Sequence, residues 1–301
     1  MDQASNLRNI IKNQTQSKAP RARVITVTSG KGGVGKSNVA INLAIQFRKL
    51  GQRVIILDAD LGLANIEIMF GTVPKHNLAD LIYQGKSIRE IITWGPMEVG
   101  FISGGSGITR MSQLDREYLS YIIVNLAELD AIADTVIIDT GAGISDSVME
   151  FLVASGEIIL VTTPEPTSIT DSYSLLKALN QHARFSRENT DIRVVSNLVG
   201  SPNEGQILFN KLNAVVARYL KLPLTYLGEI PRDQALANAV MQQKPVSMAN
   251  PTARSTRAFE RIVGELTDNE ELKRSHSRGM AAFFSHIING SKGMRPAGAQ
   301  Q

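Results

Sequence analysis

From Arg23 to about Asp268 the chain alternates short runs rich in Val and Ile with longer stretches whose apolar residues recur every three or four positions. The short runs are RVITVTS (23–29), RVIILD (53–58), EVGFIS (98–103), TVIID (135–139), EIILVT (157–162), DIRVVSN (191–197) and LTYLGEI (224–230). Several are apolar at consecutive positions, the pattern of strands covered on both faces. Helical patterns fall near 38–50, 112–130, 168–184, 204–221 and 253–267. Strand–helix–strand repetition predicts an α/β fold, a mostly parallel central sheet with helices on both faces. The expected layout is a single domain over 23–268, preceded by residues 1–22 and followed by residues 269–301.

Composition changes this picture little and narrows the chemistry. With 43% hydrophobic and 20% charged residues, 301 residues suffice for one large core. The chain has no cysteine, which excludes disulfides and cysteine-held iron–sulfur or zinc sites and fits a reducing cytoplasm. Its four histidines show no metal-ligand spacing. No apolar run marks a signal peptide, and none approaches the ~18 residues of a membrane span, so a cytoplasmic location is expected. A net charge of +4 is too mild to argue for nucleic acid. The single tryptophan, Trp94, is expected to serve packing.

The chemistry begins directly after the first strand. GKGGVGKS, Gly30 to Ser37, satisfies G-x-x-x-x-G-K-[ST] between a strand and a helix, as a phosphate loop must. Here Gly30, Gly32, Gly33, Val34 and Gly35 present backbone N–H groups to phosphate oxygens. Lys36 reaches the outer phosphates and Ser37 can ligate Mg²⁺. LDADLGLAN places Asp58 and Asp60 at the carboxyl end of the second strand, and VIIDTGAGI places Asp139 after another buried strand. A bound cation would give these carboxylates a physical partner.

Lys31 has no evident duty within one phosphate loop, and KGGVGKS resembles the deviant phosphate loop of the MinD/ParA ATPases. The resemblance covers roughly residues 23–267. It implies ATP and Mg²⁺ as cofactors and a slow, dimer-dependent ATP hydrolysis. It further implies that Lys31 crosses a homodimer interface to the partner's nucleotide, so that the ATP-bound chain pairs face to face. By the same resemblance Asp60 positions the attacking water, while Asp58 and Asp139 hold the metal's water shell with Ser37. Adenine is expected between Asn197 and the segment Pro231, Arg232 and Asp233.

Beyond the core, residues 273–301 carry Lys273, Arg274, Arg278, Lys292 and Arg295 and no acid. Within 278–290, Met280, Phe283, Phe284, Ile287 and Ile288 form one apolar stripe at helical spacing. Cationic flanks and an apolar face predict a helix that lies on an anionic membrane surface, where a dimer with two copies binds better by avidity. The alternative, that the stripe packs on its own domain, is equally compatible with the spacing.

At the other end, DQASNLR resembles the DQAxxLR element of the FlhG (YlxH, FleN) family, MinD-like regulators of flagellar number and placement. Asp2, Gln3, Ala4, Leu7 and Arg8 match it. The resemblance implies that these residues bind and stimulate FlhF, a GTPase of the signal-recognition-particle class, with flagellar C-ring proteins as further partners. Specific nucleic-acid binding is not expected. A ParA-like DNA-segregation ATPase, a MinD-like division-site regulator and a metabolic ligase using the same loop are the alternatives.

Overall fold

A computed structural model describes residues 21–60, 65–104, 116–268 and 279–290. In chain order its strands and helices are β1 (Arg23–Ser29), α1 (Lys36–Lys49), β2 (Val54–Ala59), α2 (Asn65–Phe70), α3 (Leu78–Gln84), α4 (Ile88–Ile91), β3 (Thr93–Trp94), β4 (Gly100–Ser103), α5 (Arg116–Ala127) and α6 (Leu129–Ile132). There follow β5 (Thr135–Ala142), α7 (Asp146–Ala154), β6 (Glu157–Thr162), α8 (Pro166–Gln181), β7 (Asp191–Val199), α9 (Pro202–Tyr219), β8 (Thr225–Pro231), α10 (Gln234–Met241), α11 (Val246–Ala249), α12 (Arg254–Asp268) and α13 (Gly279–Gly290). The strands form one sheet in the order β3-β4-β2-β5-β1-β6-β7-β8, parallel throughout except for the antiparallel pair β3–β4.

Each central strand buries both faces, and period-two alternation sorts its residues into opposite layers. Ile25, Val27, Ile56, Ile137 and Ile159 pack in a core with α1, α2, α10 and α12. Ile55, Leu57, Val136 and Ile138 face the other way, against α3, α4, α5, α6 and α13. Farther along that face Ile158, Leu160, Ile192 and Val194 meet α7, α8 and α9. Arg48 and Lys49 lie in the last turn of α1, where positive side chains complement the negative end of the helix dipole, whose positive end lies at the phosphate loop.

The predicted sheet class and its seven long strands are present, with ends moved by a residue or two at most positions. Residues 98–99, expected in a strand, instead belong to a turn in which Met97 and Glu98 have positive φ. Short elements escaped the sequence pattern: β3, α2, α3, α4, α7, α10 and α11. The stretch 112–130 was expected as one helix. Its described part is α5 and α6, separate elements either side of Glu128. Trp94, expected to serve packing, lies over Gly100 on the edge strand and is 56% exposed.

The tail stripe faces the protein in this structure. Met280, Phe283, Phe284 and Ile287 are buried against α5, α6 and α7, with Phe283 stacked on Phe151 at 6.1 Å between ring centroids. The side chain of Ile288 lies outside the described residues, as do Asp2, Gln3, Ala4, Leu7 and Arg8.

Phe47 fills the layer between α1 and the sheet and is fully buried. Phe47→Ala should lower the unfolding free energy by about 3–5 kcal/mol, read from the urea midpoint at unchanged slope.

Candidate nucleotide site

The loop after β1 is shaped by two glycines that accept no substitute. A Cβ on Gly30 would lie 2.2 Å from the backbone carbon of Asp171, so the loop leaves β1 in direct contact with α8. Gly35 sits at φ 89°, in the left-handed region, and a Cβ there would meet the Asn197 amide nitrogen at 2.4 Å. Nothing lies within 4 Å of a Cβ built on Gly32 or Gly33, so the inner rim of the loop is open. Gly35 is the N-cap of α1 and supplies no side-chain cap. Ser145 and Ser201 cap α7 and α9, whereas α8 also starts without a side-chain cap. Uncapped N–H groups at a helix start, beside an open glycine turn, form an anion cradle.

Behind the cradle the parallel pairing of β2 and β5 sets Asp58 beside Asp139 in register. Lys36 is 7% exposed and places Nζ 2.7 Å from Asp139 Oδ1 and 4.0 Å from Asp60 Oδ2. Asp58 accepts hydrogen bonds from the Asp60 and Ile66 amides, at 3.1 and 3.5 Å. Burial, aided by the charge of Asp139, pushes the Asp58 carboxyl up to about 7. Burial also raises Asp139, against the opposing pull of Lys36 and of a hydrogen bond from Ser37. Its second oxygen, Oδ2, is buried with no hydrogen-bond partner.

Three carboxylates thus converge on one ammonium group. The excess negative charge, the orphaned oxygen and the adjacent Ser37 hydroxyl fit a divalent cation. Among the described residues no group of three or more acidic or histidine side chains closes around a metal ion. Mg²⁺ keeps several waters and takes one or two protein ligands alongside phosphate oxygens, and Ser37 with the nearby carboxylates would supply these. The structure places Ser37, Asp58 and Asp139 together, with Asp60 at their edge, where Asn65 donates to its Oδ2 at 3.4 Å.

Lys31 points elsewhere. Its Nζ lies 2.8 Å from both Glu165 Oε2 and Thr167 Oγ1, at the start of α8, and the side chain is 37% exposed. Lys31 holds the Glu165 carboxyl below its ordinary range. Sequence reasoning missed Glu165 and Thr167. Their local signal was a Pro-initiated helix after a buried strand, which says nothing about a lysine far away in the chain.

The expected base-binding residues have mixed surroundings. Asn197 is buried beneath the loop and donates from Nδ2 to the Val34 carbonyl at 2.7 Å, while its Oδ1 is without a partner. Pro231 ends β8, and the Arg232 amide donates to Val199 O at 2.8 Å. The Arg232 charge also acts on Glu165, which brings this segment to the mouth of the loop. The Asp233 carboxylate is committed to two helix starts, accepting from Ala235 N and from Ser255 N and Oγ, each at 2.9 Å. Burial works against its ionisation, but these hydrogen bonds prevail and lower its pKa.

Comparison with known proteins agrees with this geometry. The ParA family model described as NUBPL iron-transfer P-loop NTPase matches residues 21–267. The chain holds no cysteine for iron. It is 41% identical over 262 residues to the Pseudomonas aeruginosa protein named Antiactivator FleN, covering 87% of this chain and 91% of that one. It is 32% identical over 295 residues to the Helicobacter pylori flagellum site-determining protein YlxH, covering 95% and 98%. Among solved structures, septum site-determining protein MinD from Pyrococcus horikoshii, complexed with Mg-ADP, superposes with a TM-score of 0.64. That match is 22% identical and covers 84% of this chain and 98% of that one, a likeness of fold. A phosphate loop with a second lysine, an acidic cluster behind it and a family match spanning nearly all of the sheet lead to one conclusion: the chain belongs to the ParA/MinD family of P-loop NTPases.

Proposed function

We propose that this protein is an ATP-dependent dimerising switch that regulates the number and placement of bacterial flagella. The observation that carries the switch reading is the position of Lys31, held at the surface by Glu165 and Thr167 and not in its own phosphate cradle. An exposed ion pair is weak and readily exchanged, so a second chain's nucleotide can compete for that ammonium group. The flagellar reading is supported by the relatives named FleN and YlxH and by the DQAxxLR element at Asp2 to Arg8.

In the proposed cycle the uncapped start of α1 and the loop amides bind the phosphates. Lys36 exchanges Asp139 for the outer phosphate oxygens. Mg²⁺, held by Ser37 with Asp58 and Asp139 behind it, would neutralise phosphate charge when bound. Asp60 orients the attacking water for slow hydrolysis. Loss of the γ-phosphate removes the contact that distinguished the paired state, and the dimer parts. The protein works in the cytoplasm and reversibly at the inner membrane face, where α13, freed from its groove, presents Met280, Phe283, Phe284, Ile287 and Ile288 to anionic lipid. Asp2, Gln3, Ala4, Leu7 and Arg8 engage and stimulate FlhF, and flagellar C-ring proteins are further partners.

Asp60→Ala should lower ATP turnover by about a hundredfold or more while trapping an ATP-bound dimer visible by light scattering. Turnover at the wild-type rate would remove Asp60 from the mechanism. A peptide of residues 1–20 should accelerate GTP hydrolysis by FlhF, and Gln3→Ala in that peptide should abolish the effect. If full-length protein stimulates and the peptide does not, the motif assignment is wrong. Sedimentation with anionic vesicles should require ATP and disappear when residues 278–290 are deleted. Equal sedimentation with ADP would contradict control of membrane binding by dimerisation.

A further inference from the structure

The two ends of the described domain meet at one carboxylate. Asp130, in the short helix α6, accepts a hydrogen bond on Oδ1 from the amide of Met280, at 2.8 Å, in the first turn of α13. The same oxygen accepts from the amide of Ala22, at 3.2 Å, where the chain enters β1. Gly279 is at φ 68°, and a Cβ there would lie 2.7 Å from Asp130 Oδ2, so α13 starts in close contact with this side chain. The Ala281 amide and the charge of Arg21 also act on the carboxylate and favour its ionised form, against burial that raises its pKa. Near the other end of α13 the guanidinium of Arg184, itself paired with Glu150, donates to His286 O at 2.8 Å. A negative charge at the helix start and a positive one toward its end match the helix dipole.

We propose that Asp130 is a shared latch for both termini, so that drawing the chain away at Arg21–Ala22 loosens the docked helix α13, and release of α13 loosens the entry to β1. The physical reason is that a partly buried carboxylate is held in place by its donors. When one leaves, the side chain is under-compensated and turns toward water, taking the cap of α13 with it. Gly279 lets the first turn of α13 lie directly against Asp130, because a Cβ there would meet its Oδ2. Residues 1–20 run directly into Arg21, so a partner that pulls on that segment acts on the far end of the chain through one side chain. The coupling is independent of what either terminus binds.

The test is hydrogen exchange on the full chain, without nucleotide, lipid or partner. Ala22→Pro removes the amide donor from a buried position that borders the core shared with α13. It should speed exchange of the Phe283, Phe284 and Ile287 amides roughly tenfold. Asp130→Ala should do the same, and the double variant should exchange no faster than Asp130→Ala alone. Exchange in β2 and β5 should stay at the wild-type rate. If Ala22→Pro also speeds those strands, Arg21→Glu, which sets a like charge against Asp130, replaces it with the same expectation for α13. Unchanged or slower exchange of the α13 amides, or effects of the single variants that multiply in the double, would overturn the proposal.

Discussion

The buried charge imbalance behind the phosphate loop is the constraint on which the site depends. Parallel pairing of β2 with β5 sets Asp58 against Asp139 with no freedom to separate them. Lys36 compensates only one of them at short range. Without a cation the remaining charge is relieved by protonation, and Asp58 is accordingly shifted to about 7. A core optimised for stability alone would not place two acids at the ends of adjacent buried strands. Their presence makes sense where phosphate and a divalent ion complete the charge balance, and the open rim at Gly32 and Gly33 supplies the space.

The two lysines of the loop differ in burial, and in the proposed cycle that difference separates binding from switching. Lys36 begins α1 and is buried, so its charge cannot be left without an acceptor, and Asp139 receives it. Lys31 lies on the outer rim against an acid that is itself largely exposed. A buried pair can be exchanged only for another charge that enters the same space, as a phosphate does. A surface pair can be exchanged for any suitably placed anion, including one on a second molecule. In the proposed cycle burial therefore divides the roles, although the two side chains are chemically the same.

What was legible in the sequence follows the range of the interactions. The phosphate loop is local, with glycine conformation, helix start and lysine all within Gly30 to Ser37, and the structure assembles it as expected. Long strands announced themselves by consecutive apolar residues. The short helices α3 and α4 did not, although both carry capping boxes, Asn77 with Asp80 and Ser87 with Glu90, that could have revealed them. α7 is apolar on nearly every side, which leaves no helical period to detect. How far Trp94 would be covered was not legible, because that depends on its place in a two-residue edge strand. The partners of Lys31 and of Asp130 were invisible for a simpler reason. Glu165 is 134 residues from Lys31, and Met280 is 150 residues from Asp130. Only the folded sheet brings them together.

The tail helix marks the limit of pattern reasoning most clearly. Its stripe was legible at Met280, Phe283, Phe284, Ile287 and Ile288, but an apolar face is equally suited to lipid and to protein. Polar groups decide for protein in this structure, because lipid cannot supply a carboxylate that caps residues 280 and 281 together with a guanidinium at residue 286. A helix of about twelve residues is marginal when free. The groove therefore orders α13 as well as hiding it, and the free energy that holds the helix in place is the threshold any competing surface must exceed. That threshold depends on a side chain also bonded to the start of β1, which makes the exposure of one terminus sensitive to the state of the other.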